Sequence, residues 1–203
     1  MTRAQKVLGK KAAFRDGLER RFPSDEAARI WADAESRLDG IFRSYGGLAK
    51  GVRAHTDAFI FPAAAIYLAA REFSQEKAFA LMQEVMKAKS LKSGEAFRAM
   101  TRLPGGKAFF LKMWDSVSRR SFSESAGFKN VFYPRKKGEF KMDITQCPYQ
   151  TYFSQLGCPE LTRLFCQNDE YAYGNLDGLR FVRTQTLGTG GTLCDFLLVK
   201  EKA

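Results

Sequence analysis

Near residue 128 the apolar residues of this chain change their spacing, from a helical repeat of about 3.6 to a strand repeat of about 2. Before that point Ile30, Trp31, Ala34, Leu38, Ile41, Phe42 and Tyr45 form one stripe. Pro23-Ser24 opens it and Gly46-Gly47 closes it, which predicts a helix between them. Ala78, Leu81, Met82, Val85 and Met86 make a second stripe after Ser74, and Phe109, Phe110, Met113, Trp114 and Val117 a third after Pro104-Gly105-Gly106. Phe59 to Phe73 is apolar nearly all round and predicts the most buried helix, with Pro62 in its first turn or kinking it.

Beyond the change, Phe140, Met142 and Ile144 alternate with Lys141, Asp143 and Thr145, the pattern of a half-buried strand after a turn at Arg135 to Gly138. On that phase Cys147 belongs to the face of Asp143 and Thr145, and Pro148 ends the strand. A helix with Leu161, Leu164 and Phe165 on its apolar side follows. Leu179 to Leu187 and Thr192 to Val199 then flank Gly188-Thr189-Gly190-Gly191 as an antiparallel hairpin. The expectation is an α+β fold, a helical N-terminal portion packed on a small antiparallel sheet formed mainly by the C-terminal portion. With no repeat or long linker, residues 1–203 read as a single domain. Residues 1–125 are mainly helical, and 126–203 form a strand, helix and hairpin portion that carries the site.

Composition narrows the function. At 45% hydrophobic and 27% charged, with 18 Phe, the chain has the make-up of a folded globular protein. The longest apolar run, Phe59 to Ala70, is too short to cross a bilayer, and the basic N-terminus lacks a signal-peptide block, so a cytoplasmic protein is expected. There Cys147, Cys158, Cys166 and Cys194 stay reduced. The net charge of +11 favours an anionic partner. Its basic residues are scattered and partly paired, which argues against nucleic acid and leaves a small anionic substrate; a homo-oligomer is compatible with the sequence.

Five pieces toward the C-terminus form a recognisable pattern: Asp143-Ile-Thr-Gln-Cys147-Pro-Tyr149, Leu156-Gly-Cys-Pro-Glu160-Leu, Phe165-Cys166-Gln-Asn-Asp169, Leu179-Arg-Phe-Val-Arg-Thr184-Gln-Thr-Leu187, and Gly190-Gly191-Thr-Leu-Cys194-Asp195-Phe196. In order and spacing they resemble the L-2-amino-thiazoline-4-carboxylic acid hydrolase family, with a weaker echo over His55 to Leu68. The Gly-Gly-x-x-Cys-x-Phe ending is also similar, more faintly, to the ligand-binding domains named after vinyl reductase. Some of those bind zinc through cysteines, and a noncatalytic small-molecule or metal-binding sensor is the alternative this second likeness implies.

The family resemblance implies hydrolytic opening of a cyclic isothiourea to an N-carbamoyl-cysteine type product. Water attacks the carbon between nitrogen and sulfur. Such a site needs a base or nucleophile, a group for the amidine nitrogens and a cation for the carboxylate. Cys147 is the first nucleophile candidate, because a following helix N-terminus favours its thiolate; its other reading is a small packed residue.

Cys166 and Asp169, three apart on the predicted helix, share a face, with Arg163 one turn earlier. Asp169 suits an amidinium or an attacking water, and the three also read as a surface charge stripe. Arg180 and Arg183 are candidates to clamp the carboxylate, although exposed strand arginines often only solubilise. Asp143 and Tyr149, which bound the first piece, are further candidates for holding substrate. His55, the one histidine, suits a general base or a polar helix entrance. Cys194 falls on the apolar face with Phe196, as a buried thiol, and Asp195 on the other. No cofactor is expected. A thiolate-bound metal would depend wholly on tertiary proximity, because no pair of cysteines has zinc-type spacing.

Overall fold

The computed structural model describes residues 1–201. Its order is α1 (Arg3–Leu8), α2 (Ala12–Arg21), α3 (Ser24–Ser44), α4 (Lys50–His55), a π-turn (Thr56–Ile60), α5 (Phe61–Arg71), α6 (Gln75–Arg102) and α7 (Gly106–Ser121). There follow β1 (Lys129–Phe132), β2 (Glu139–Gln146), α8 (Pro148–Gln155), α9 (Glu160–Tyr173), β3 (Leu179–Val182) and β4 (Cys194–Lys200). The fold is α+β, with helices through most of the N-terminal part and a four-stranded antiparallel sheet in the C-terminal part. Among the described residues no helix is long and apolar enough to cross a membrane.

The stripes form their helices for the reasons their spacing gives. Ile30, Ala34 and Leu38 of α3 are fully buried. Ser74 caps α6 by accepting the Lys77 N–H at 3.3 Å. In α5 every residue from Phe61 to Ala70 is buried, so this helix is the centre of the helical core. The third stripe is turned from its expected phase: α7 buries Phe110, Leu111 and Trp114 and leaves Phe109 and Val117 exposed.

Sheet order is β1-β2-β4-β3. Met142 faces Phe196 and Phe140 faces Leu198 across β2 and β4, and these four form the buried face. The hairpin of β3 and β4 is present, with shorter strands and a wider connection than the glycine run suggests; a 3₁₀ turn, Leu187–Thr189, occupies it. Where one helix was expected after Pro148 there are two. Gly157, at φ +74°, breaks the chain between them ahead of Cys158-Pro159.

Two apolar clusters result, one among the helices and one between the sheet, α7 and the end of α9; Tyr149 touches both. Helices α6 and α9 run against each other and join the halves. Their contact is close at Gly94, where a Cβ would lie 2.6 Å from the Tyr171 carbonyl. That glycine lets α9 settle deep enough to face the sheet.

Candidate active site

A cavity of about 310 Å³ lies between the helical layer and the inner face of the sheet. Four local features aim the reactive side chains into it.

The first is a β-bulge. Lys129 pairs with Gln146 but Asn130 pairs with Ile144, so Thr145 is an extra residue in β2. Strict alternation puts Cys147 on the polar face; the extra residue reverses the phase, and Cys147 lines the cavity beside Met142 and Ile144. The second is the phase of α9. Thr162, Phe165, Cys166 and Asp169 lie along one helical stripe and all line the cavity. Arg163 sits about 120° round the helix from Asp169, by the 100° step per residue. It is exposed, lies over the Phe79 ring, and borders a separate shallow hollow with Tyr67 and Glu160.

The third is the turn after β3. The Asp195 carboxylate accepts from the Thr184 N–H at 2.9 Å, the Thr184 hydroxyl at 2.6 Å and the Gln185 N–H at 2.8 Å. Burial pushes the Asp195 pKa up, but these bonds outweigh it and the net shift is down. The pinned loop brings Gly188 up against Cys166, and from it Thr186 and Gly188 help to lower the Cys166 pKa. A Cβ on Gly188 would stand 2.8 Å from the Cys166 sulfur, so the approach requires glycine.

The fourth is Arg183, whose side chain is only 5% exposed. It donates to Asp169 at 2.8 Å, to the Cys166 carbonyl at 2.9 Å and to Glu170 at 2.9 Å.

Cys147, Tyr149, Cys166, Asp169, Arg183 and Cys194 therefore meet in one cavity. Arg180 is exposed. Asp143 lies outside the cavity, with the Tyr133 hydroxyl donating to it at 2.7 Å. His55 stands behind the wall. One ring nitrogen is 2.8 Å from the Ser121 carbonyl, which can only accept, so Nε2 carries the hydrogen; Nδ1 then accepts from the Tyr149 hydroxyl at 3.1 Å. Burial lowers the His55 pKa, against a smaller raising by the Ser121 contact. It is a neutral ring that holds Tyr149 in place.

The thiols divide by environment. Cys147 receives the backbone N–H groups of α8, as a helix N-terminus provides, but burial dominates and pushes it up to about 12. Cys166 goes the other way. A hydrogen bond from Cys194 is the largest cause; Thr186, Gly188 and Arg183 add to it, and together they outweigh burial and hold the Cys166 thiol below its ordinary value. Cys194 keeps its proton as the donor, and its own sulfur accepts the Leu187 N–H at 3.3 Å.

Asp169 is 40% exposed, and it lines the cavity. Burial raises its pKa to about 7 and Arg183 restrains the rise. Around neutrality the site thus holds a favoured thiolate beside a carboxyl that can give or take a proton. Among the described residues no three His, Cys, Asp or Glu side chains gather in a way that could hold a metal ion.

Sequence reasoning did not find Lys11, Lys89, Trp114, Thr186 or Gly188. Thr186 lies inside a quoted piece and Gly188 just after it, where the turn they build had no periodic signal.

Fold and cavity define an α+β protein with a thiol-lined site between its helical layer and its sheet. The chain belongs to the L-2-amino-thiazoline-4-carboxylic acid hydrolase family, whose model matches residues 53–198. That span contains all of the cavity lining except Lys11 and Phe14. Neither the curated proteins nor the solved structures yield a significant match.

Proposed function

We propose that this protein is a hydrolase that opens a small cyclic isothiourea or amidine such as 2-aminothiazoline-4-carboxylate. Cys166 is the nucleophile and Asp169 the acid and base. The observation that supports this most is the convergence of Cys166, Cys194 and Asp169 on one cavity, with the buried Arg183 donating to Asp169 and to the Cys166 carbonyl, the Cys166 thiol held low and Asp169 raised to about 7.

The reacting state is Cys166 as thiolate and Asp169 protonated. The sulfur of Cys166 bonds to the carbon between the ring nitrogen and ring sulfur. The ring C–S bond breaks, and its sulfur leaves with the proton of Asp169. An isothiourea joined to Cys166 remains. The Asp169 carboxylate then takes a proton from water as its oxygen adds to the same carbon, and passes that proton to the imine nitrogen. When the hydroxyl proton returns to Asp169, the carbonyl forms and Cys166 departs as thiolate. One water is consumed, and the product carries a free thiol and a carbamoyl nitrogen. Arg183 favours the Cys166 thiolate before attack and on departure, and limits the rise at Asp169. Cys147, neutral and buried, supplies cavity wall, as does Tyr149 steered by His55.

The test is incubation with 2-aminothiazoline-4-carboxylate and colorimetric detection of released thiol. Turnover by the wild type and none by C166S supports the reading. Binding with no thiol release by either protein overturns it. That outcome favours the second reading, a ligand-binding module, for which the size of the apolar cavity speaks.

A further inference from the structure

The reaction above leaves one requirement unmet, a cation for the substrate's carboxylate. Arg163 and Arg180 lie outside the cavity. Arg183 lines it, but its terminal nitrogens already serve Asp169, the Cys166 carbonyl and Glu170. The remaining cations in the lining are Lys11 and Lys89.

Both stand at the mouth. Their ammonium groups both lie near the Phe59 ring, with Lys11 Nζ 5.7 Å and Lys89 Nζ 5.4 Å from its centroid, and Phe59 is 40% exposed. A proline sets Lys11 there. In a regular helix the N–H of residue 62 would bond the carbonyl of Ala58; Pro62 has no N–H, the chain widens into the π-turn, and the freed Ala58 carbonyl accepts Lys11 Nζ at 2.6 Å. Two ammonium groups held this close repel each other, and Lys89 accordingly adds to the lowering of the Lys11 pKa, after burial. An anion between them relieves that repulsion.

Between mouth and thiols the walls are apolar, including Phe14, Met86, Phe128, Ile144 and Phe165. At about 30 Å³ for each water, the cavity has room for on the order of ten. A single five-membered ring with its carboxylate would leave much of that space wet. Deep in the lining, Trp114 Nε1 and Thr162 Oγ1 have no hydrogen-bond partner, although their residues are only 9% and 3% exposed. They await polar atoms of a bound molecule.

We infer that the cavity takes an elongated amphipathic carboxylate, its anionic end between Lys11 and Lys89, its apolar body along the walls and its polar head at Trp114, Thr162 and Cys166. This rests on the proposed function only for the chemistry at the head. Lys11 lies outside the family-matched span and Lys89 inside it.

Titration calorimetry of the full chain with hexanoate, octanoate, decanoate and 1-decanol tests it. The expected result is a gain of roughly three- to fourfold in affinity per added methylene, decanoate at least tenfold tighter than 1-decanol, and loss of that difference in K11M/K89M, which keeps the aliphatic stems on Phe59. Equal affinity for acid and alcohol, no dependence on chain length, or an unchanged K11M/K89M each overturns the inference. Lysine-dependent decanoate binding without thiol release from the thiazoline would remove the hydrolase reading alone. Thiol release from the thiazoline with no lysine-dependent decanoate binding would remove this inference alone.

Discussion

Arg183 donates to Asp169 across 2.8 Å, and the same guanidinium holds the carbonyl of Cys166 one turn earlier on α9. One cation therefore acts on both the proposed nucleophile and the proposed acid and base. It lowers the thiol of Cys166 and limits the rise at Asp169. R183M should raise both pKa values, move the acid limb of the activity profile to higher pH and cut kcat by about tenfold or more. A pH profile of kcat checks this, and an unmoved acid limb would separate Arg183 from the thiol.

Asp169 holds its proton to about pH 7 when folded and releases it near the ordinary carboxyl value of about 3.9 when unfolded. Between those values the folded state binds more protons than the unfolded one. The contribution of Asp169 to stability is thus complete at low pH and is lost as pH rises toward 7. D169N lacks this slope. Urea unfolding of both proteins from pH 4 to 8 should show the wild type losing stability relative to D169N across that window. Activity of D169N should fall by about 100-fold or more.

His55 is the sole histidine, so its ring gives a single imidazole resonance to follow by NMR. Burial keeps it neutral, and its midpoint should lie below about 6.5. H55A should weaken activity through a loosened Tyr149 and leave no histidine limb missing from the pH profile, because none is present in the wild type. A midpoint at or above the ordinary value would contradict the hydrogen-bond directions assigned to Ser121 and Tyr149.

Gly188→Ala tests the turn that serves Cys166. The added methyl meets the sulfur and the Thr162 backbone carbon, at 2.8 and 3.1 Å, so the 3₁₀ turn must back away and its N–H leaves the thiolate. Thiol release should drop by about tenfold or more while Tm changes by a few degrees. Wild-type activity in G188A would show that this N–H contributes nothing.

Periodicity carried much of the sequence reading where a face is set by local repeat, although in α7 Phe109 and Val117 of the expected stripe are exposed. The stripe of α3, the buried α5 and the alternation in β2 follow from spacing alone, and so does the shared face of Cys166 and Asp169. Spacing failed where one residue breaks a repeat. The extra Thr145 in β2 moved Cys147 from the polar face to the cavity, and Gly157 divided one expected helix into two. Ranking the thiols needed tertiary information. The helix N-terminus at Cys147 is legible from Pro148, but its burial is not. The donors on Cys166 come from Cys194 and from a turn pinned by Asp195, far along the chain. Lys11 was hidden for the same reason, although Pro62 signalled that a carbonyl nearby would be left free.

The account turns on which cysteine is ionised near neutral pH. Alkylation of the folded protein with iodoacetamide from pH 5 to 10, read residue by residue by peptide mass spectrometry, measures it. Cys166 should react first, with a midpoint well below the ordinary thiol value of about 8.5, while Cys147 and Cys158, both raised to about 12 by burial, lag far behind. Faster modification of Cys147, or a Cys166 midpoint at or above the ordinary value, would contradict it.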